Sequence, residues 1–599
     1  MTANIKIGGA CGFWGDWNGA AAQLLQAGDL DYIVFDYLAE ITMSILARAR
    51  AKNPEMGYAT DFINVIKDNL DRIQADQVKV LSNAGGMNPN ACAAALRSII
   101  DAAGADLKVA VVTGDDLVNR AKQFSDKTEM FSDEPFPNAT SVISVNAYLG
   151  AGPIVRALQD GADIVVTGRC VDSALTLAAC MHAFDWPADD WNRMAAGSLA
   201  GHMLECGAQA TGGNLTDWRS VADTLDEIGY PIANISENGD FELTKPAETG
   251  GGVTADSVAE QMLYEIGDPQ AYMLPDVVCD FSDVKIHQLD QDRVVVTGAK
   301  GRAPSLQYKT SVTYQDGWKV STLWLFIGEE ALEKANCFAD AALRRAAVRL
   351  KALGLQPFSE TLVEPFGAEA HYGAFAETTA GREVAVKIAA KHDNPKALGV
   401  LIKEATGLAL SAPPGLCLYT GARPKPSPVV RLFSMLVDKA DVDIRIQTNA
   451  DSIDWMAPCH IEQNEEMQPP PTPEPVDSQA ADLVEAPLRQ IAWARSGDKG
   501  DKANIGVIPR DMRFAPWIWD SLTESIVQER FSHFLKGDVN RYYLPGTGAI
   551  NFLLHDVLGG GGMASLRNDP QGKSYGQVLL DTPVRLPRQL LEGSIRGRV

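Results

Sequence analysis

The stretch "FDYLAEITMS" places two carboxylates, Asp36 and Glu40, four residues apart. If a helix starts just after Asp36, both lie on one face at the carboxyl end of a strand. Close carboxylates split their pKa values, leaving one as an acid and the other as a base. The plainer reading has Asp36 capping the helix and Glu40 solvated or salt-bridged. Removing a proton beside a carbonyl group needs such a base, and the negative charge that develops needs N–H donors. Two glycine-rich turns offer them. In "IGGACGFWGDWNGA", Gly9, Gly12 and Gly15 recur every three residues before a helical pattern, with Asp16 beside them. In "TKPAETGGGVTADSV", Gly250 and Gly251 lead into a helix that Thr254 or Asp256 caps. Unpaired N–H groups at a helix start attract anions. Arg169 directly follows the strand "IVVTG", where it can grip a carboxylate or phosphate at two points, and Asp172 is its competing partner. Asn83, Asp115, Asn146 and Tyr148 occupy neighbouring turns, though asparagine and aspartate also serve turns and caps alone.

Several chemistries lack their signatures. Asp36 lies 21 residues after Gly15, the place of a ribose-binding acid, but G-x-G-x-x-G is absent and Asp16 would repel a pyrophosphate. The 250–252 turn lacks the GK[ST] ending of a phosphate-binding loop, and no nucleophile elbow or H-E-x-x-H helix occurs. His202 and Cys206 are four apart without further zinc ligands, so His202 reads as a core histidine. Asp16, Asp36, Asp115 or Asp116 could hold a divalent cation, a site type that leaves no firm spacing. No cofactor is firmly implied.

Near the C-terminus, "ARSGDKGDKANIGVIPR" packs alternating charges and two glycines before an apolar run. Gly497 and Gly500 permit a tight hairpin, with "NIGVIP" returning as a strand. Asp498 and Asp501 are expected to pair with lysine or arginine inside it. That leaves Ser496, one lysine and the backbone N–H groups to face outward. The loop, with Arg495 and Lys499 as its candidate contacts, is expected to dock over the large body's cleft or a neighbouring subunit's and close it against water. The alternative is a solvated hairpin.

These residues need a scaffold. "NIKIGG", "DYIVFD", "VKVLSNAGG", "LKVAVVTGDD", "VISVNAY" and "ADIVVTGRC" read as strands alternating with helical patterns. That texture predicts an α/β fold with a mostly parallel sheet flanked by helices, its ligand site at the carboxyl ends of the strands. There Asp16, Asp36, Asn83, Asp115, Asn146 and Arg169 should converge on one cleft. Residues 1–274 form this ligand-binding region, and the strand-rich stretch 275–462 reads as a second α/β subdomain. A proline-rich acidic linker spans 463–482, and 483–599 form a C-terminal module.

The net charge of −24 argues against nucleic acid as a partner. It divides as −27 over the first 482 residues and +3 over the rest, which favours docking between the two parts or an anionic ligand. Nine scattered cysteines without a C-x-x-C pair suit reduced thiols. No apolar run is long enough to cross a membrane and the N-terminus lacks a signal-peptide pattern, so no membrane partner and a cytoplasmic location are expected. A homo-oligomer is expected on general grounds.

"IGGACGFWGDW", "DYLAEITMSILARA", "NAGGMNP", "ADIVVTGRCVDSALTLA", "GHMLECGAQATGGN", "GYPIANISENGDFELTKPAETGG" and "VAEQMLYEIGDP" together resemble the acyclic terpene utilisation family, AtuA type, from about residue 5 to 460. "ARSGDKGDKANIGVIPR" and "YLPGTGAINFLLHDVLGGGG" resemble the module that members carry behind a linker, which implies a ferredoxin-like α+β fold. Cys11 and "HQLDQDRV" depart from the pattern, where a small residue and a glycine are expected. The resemblance implies catabolism of citronellol- and geraniol-type compounds through branched acyl-CoA intermediates, and it carries no catalytic residues over. Joined to the residues above, it leads to a lyase or hydratase acting on a branched-chain acyl-CoA or carboxylic acid. Asp36 or Glu40 would be the base, the glycine turns the donors, and Arg169 the carboxylate ligand. A non-catalytic binding subunit is the alternative, and a nicotinamide oxidoreductase ranks last.

Overall fold

The computed structural model describes residues 4–377, 381–418, 423–448, 451–458, 469–477 and 482–596. Much of the proline-rich linker lies outside the described residues, and 469–477 carry no helix or strand.

An eleven-stranded sheet forms the centre. Its middle is parallel, in the order Asn4–Gly9, Tyr32–Phe35, Lys79–Ser82, Ile164–Thr167, Val109–Thr113. Burial on both faces explains the unbroken apolar runs, such as "YIVF", in which all four residues are buried. Flanking helices carry the punctuation expected of them. In Pro89–Ala103, Asn88 accepts from the N–H of Ala91, Pro89 opens the helix, and Gly104 ends it at φ 68°.

The strand Val142–Ala147, expected in this sheet, lies in another. Val109–Thr113 pairs directly with Ile164–Thr167, which leaves no place between them. Val142–Ala147 pairs instead antiparallel with the 21-residue strand Gln307–Ile327 of a second sheet. The second half of that long strand pairs with Glu383–His392, and helices Ala331–Ala352 and Pro395–Gly407 share a core with it around Trp324, Phe326, Phe338 and Leu401. Conversely, Lys285–Asp290 and Arg293–Thr297 extend one edge of the central sheet, and Ile444–Gln447 and Ser452–Trp455 the other. The stretches before and after residue 274 therefore interleave, each contributing strands to both sheets. The antiparallel edges also make the large sheet mixed, with its parallel character confined to the middle.

The C-terminal module has a four-stranded antiparallel sheet, ordered Ala492–Lys499, Lys502–Pro509, Ala549–Leu554, Val539–Leu544. Its core is built on Ile505, Phe514, Phe531, Phe552 and Tyr575. The first two strands form the expected hairpin, with Lys499 opposite Lys502 and Gly500 at φ 66° in the turn. The hairpin lies on the large body because glycine in both of its strands allows it. A Cβ on Gly506 would stand 2.6 Å from the Leu263 Cβ, and one on Gly497 2.6 Å from the Tyr264 ring. Asn504 completes the seam, accepting from the Glu265 N–H at 2.9 Å and donating to the Leu263 carbonyl at 2.6 Å.

Candidate active site

A cavity of about 300 Å³ lies where the two sheets and the module meet. Its floor comes from turns after central strands: Leu38 to Ile41 follow Tyr32–Phe35, and Arg169 and Asp172 follow Ile164–Thr167. The second sheet adds Lys309, Val430 and Leu432, with Tyr148 just beyond the end of Val142–Ala147. The module forms the roof from the hairpin tip, Asp498 to Gly500, and from the loop Gly560 to Met563. Asp501 orders that loop by accepting from the N–H groups of Leu558, Gly560 and Gly561. Gly559, Gly560 and Gly561 all have positive φ, which explains the run of glycines.

The polar groups form one network. Tyr148 donates its hydroxyl to Glu40 at 2.5 Å and accepts from Ser311 at 3.2 Å. Arg169 stacks 4.2 Å from the centre of the Tyr148 ring, and the Lys309 ammonium lies 4.8 Å from the same ring. Lys309 stands 3.8 Å from Glu40, Arg169 2.6 Å from Asp172, and Lys499 3.4 Å from Glu265. Burial alone would raise the Glu40 pKa, but Lys309, Arg169 and the Tyr148 hydrogen bond outweigh it and bring it down to about 2. Asp498 moves oppositely: burial, then the charges of Glu265 and Glu40, push it up to about 8. One cavity thus holds two carboxyls whose surroundings drive their pKa values apart, one from each half of the molecule.

The expected site residues divide. Glu40, Arg169 and Lys499 line the cavity. Asp36 lies close enough for Arg169 and Asp172 to influence its titration, but it is buried away from the cavity, where burial raises its pKa. It accepts from the Asn83 amide at 2.5 Å and the Leu38 N–H at 3.1 Å, and Asn83 in turn accepts from the Tyr37 N–H. The helix begins only at Glu40, with Ala39 as its cap. Asp36 and Glu40 therefore share no helical face, and Asp36 is not the cap. Asp115 sits beneath the floor, accepting from the Asn146 amide and from the Arg169 N–H, and burial raises its pKa to about 7.

The glycine turns do other work. Gly9 donates to the Pro231 carbonyl, and Gly12 donates to Asp16, which also accepts from Tyr230. A Cβ on either glycine would strike the end of helix Trp191–Glu205, at Leu204 or Cys206, so these glycines permit close packing. Gly250 donates to the Glu227 carbonyl and Gly251 to Thr224, while Asp292, Ser257 and Gln288 occupy the N–H groups of Val253, Thr254 and Ala255. That helix start is closed to an anion. Arg495 donates to the Asn214 carbonyl at the seam with the body, and Ser496 to Gly572 inside the module. Asp498 and Asp501 do not pair with a lysine or arginine inside the hairpin as expected. Asp501 takes backbone N–H groups, and Asp498 accepts from Gln571 at 3.3 Å with Lys573 3.9 Å away. His202 has partners on both ring nitrogens, Glu205 and the Gln261 carbonyl. Among the described residues no group of three His, Cys, Asp or Glu is arranged to hold a metal ion, so the aspartates considered for a cation do not gather into a site.

Lys309, Glu265 and the 560–563 loop entered no sequence-based site, although the run of four glycines at 559–562 was a visible signal, whereas Asp172 was foreseen as the partner of Arg169. Lys309 had none, being one polar position on an alternating strand.

No curated protein and no solved structure matches the chain. Among family patterns, residues 5–448 match the family described as acyclic terpene utilisation family protein AtuA, and residues 486–585 match the AtuA ferredoxin-like domain. The larger match covers well over half of the chain, which therefore belongs to the acyclic terpene utilisation family AtuA, with its ferredoxin-like domain fused behind.

Proposed function

We propose that the protein is a hydro-lyase of acyclic terpene catabolism, adding water to or removing it from a branched-chain carboxylic acid or its coenzyme A thioester. Family membership supports the pathway type. The observation that carries the reaction is two carboxyls lining one cavity in opposite surroundings: Glu40 beside Lys309 and the Tyr148 hydroxyl, and Asp498 in the desolvated roof, where burial and Glu265 push its pKa up. Environments that drive two titratable groups apart are how one site supplies both base and acid. Leu38, Ile41, Val430, Leu432 and Met563 offer the surface for a branched hydrocarbon chain. The volume is at the small end of ligand pockets, so it suits the acyl portion and leaves the bulk of a coenzyme A outside.

Lys309 and Arg169 take the substrate's carbonyl or carboxylate oxygen and stabilise the negative charge that grows there in an enolate. Engaging them draws off the positive charge that keeps Glu40 acidic, so binding itself makes Glu40 a better base. Asp498 delivers the proton to the α-carbon. The roof keeps bulk water away while this charge develops.

Purified protein is incubated with branched α,β-unsaturated and β-hydroxy acids, free and as thioesters, and the products are read by mass spectrometry. A gain or loss of one water supports the reading. Binding without turnover marks a non-catalytic binding subunit instead.

A further inference from the structure

Beside the main cavity lies a chamber of about 10 Å³, lined by Glu40, Met43, Ser144, Asn146, Tyr148, Arg169, Ser311 and Thr313. Glu40, Tyr148 and Arg169 belong to both walls. Two of its residues carry buried polar atoms without a protein partner: Nε of Arg169, a donor, and Oδ1 of Asn146, an acceptor. Arg169 is 3% exposed and Asn146 2%, so bulk water cannot serve them. Asp115 fixes the amide orientation: it accepts from Nδ2 of Asn146 at 2.9 Å, which leaves Oδ1 as the acceptor. Unpaired buried donors and acceptors cost about 1–3 kcal/mol each. A polar chamber of this size with two to four partners suits one water molecule. Ser144 and Thr313 satisfy one another at 2.7 Å, and Ser311 donates to Tyr148, which donates to Glu40, so Arg169 Nε, Asn146 Oδ1 and the remaining lone pairs of Glu40 are left to hold it.

We propose that this chamber binds the water molecule that the reaction adds or releases, with Asn146 as its positioning residue. The proposal rests on the hydro-lyase reading and names the water site within it. Glu40 is the carboxylate that borders both the chamber and the main cavity, beside Lys309, which places a proton acceptor between water and substrate. In the hydration direction the water oxygen bonds to the β-carbon of the conjugated double bond, and one of its protons passes to Glu40. The π electrons shift onto the α-carbon and its carbonyl, held by Lys309 and Arg169. Asp498 protonates the α-carbon, and solvent then reprotonates Asp498 and takes the proton from Glu40. One water is consumed and no oxidant or reductant is needed.

The test separates the two halves of the reaction. A β-hydroxy substrate in deuterated water exchanges its α-proton through the enolate alone, whereas dehydration also moves the water. Asn146→Leu keeps the volume and removes the acceptor, and Asn146→Ser is the second variant should the first not fold. Hydration and dehydration are expected to fall on the order of a hundredfold, with KM within about twofold and α-proton exchange kept. A crystal structure of the intact protein should place an ordered water within hydrogen-bond distance of Asn146 Oδ1 and Arg169 Nε. Equal loss of exchange and dehydration, or no loss of either, overturns the water site while leaving the hydro-lyase standing. Failure of the unaltered enzyme to catalyse either step overturns both.

Discussion

Glu40 and Asp498 differ because of what stands beside each side chain. Two cations and a tyrosine hydroxyl surround Glu40, whereas Asp498 meets two other carboxylates in a desolvated roof. Glu40→Gln keeps the shape but gives up the charge, and kcat should fall on the order of a hundredfold or more, with some loss of melting temperature at pH 7 because folding lowers the Glu40 pKa. Tyr148→Phe removes only the hydroxyl, and a smaller kcat loss is expected in the same steady-state assay. Activity equal to the unaltered protein in Glu40→Gln would clear Glu40 of proton transfer. Glu40, Arg169 and Lys499 were legible because each type stands where a strand end or hairpin tip must present it. Asp36 was misread because the pattern allows the helix to start a turn early, and only the chain's approach to Asn83 decides the matter. Asp498 and Asp501 were misread because alternating charges suggest local pairs, while the fold offers Asp501 three N–H groups some sixty residues away and Asp498 the side chains of Gln571 and Lys573.

At the scale of elements, the hairpin Ala492–Pro509 is both the seam and the roof. Gly506→Ala would drive a methyl group into Leu263, and overpacking of this kind costs about 1–3 kcal/mol. Thermal unfolding of the full chain should register that loss, and KM should rise as the roof shifts. Asp501→Ala acts differently, freeing the 558–561 loop without touching the substrate. KM is expected to rise several-fold with kcat less affected, and an unchanged KM would mean that this loop does not shape the pocket. Helices and parallel strands were legible from their periodicity and caps. The sheet to which Val142–Ala147 belongs was not, since its partner lies more than 160 residues away and nothing local marks it.

The whole molecule closes its site by docking two parts of opposite charge, as the division of −27 and +3 suggested. Arg510 grips Asp217 with two bonds, and Glu265 meets both Lys499 and Lys573. Burial at and near this junction also raises the pKa values of Glu260 and Asp498 to about 8. A group whose pKa is raised by folding favours the native state below its unfolded value, and this contribution drains away as pH climbs to the folded value. Stability should therefore decline from about pH 4 toward pH 8, and Glu260→Gln should lessen that decline in urea melts at a series of pH values.

In the proposed reaction the same proton on Asp498 ties the docked module to catalysis, and the pH profile of kcat/KM for hydration, in the unaltered protein and in Asp498→Asn, tests that link most directly. The profile should fall above about pH 8 in the unaltered protein. Asp498→Asn should lose on the order of a hundredfold or more at pH 7 while binding substrate and remaining folded. Full turnover in Asp498→Asn, with the same alkaline limb, would contradict an active site shared between the body and its C-terminal module.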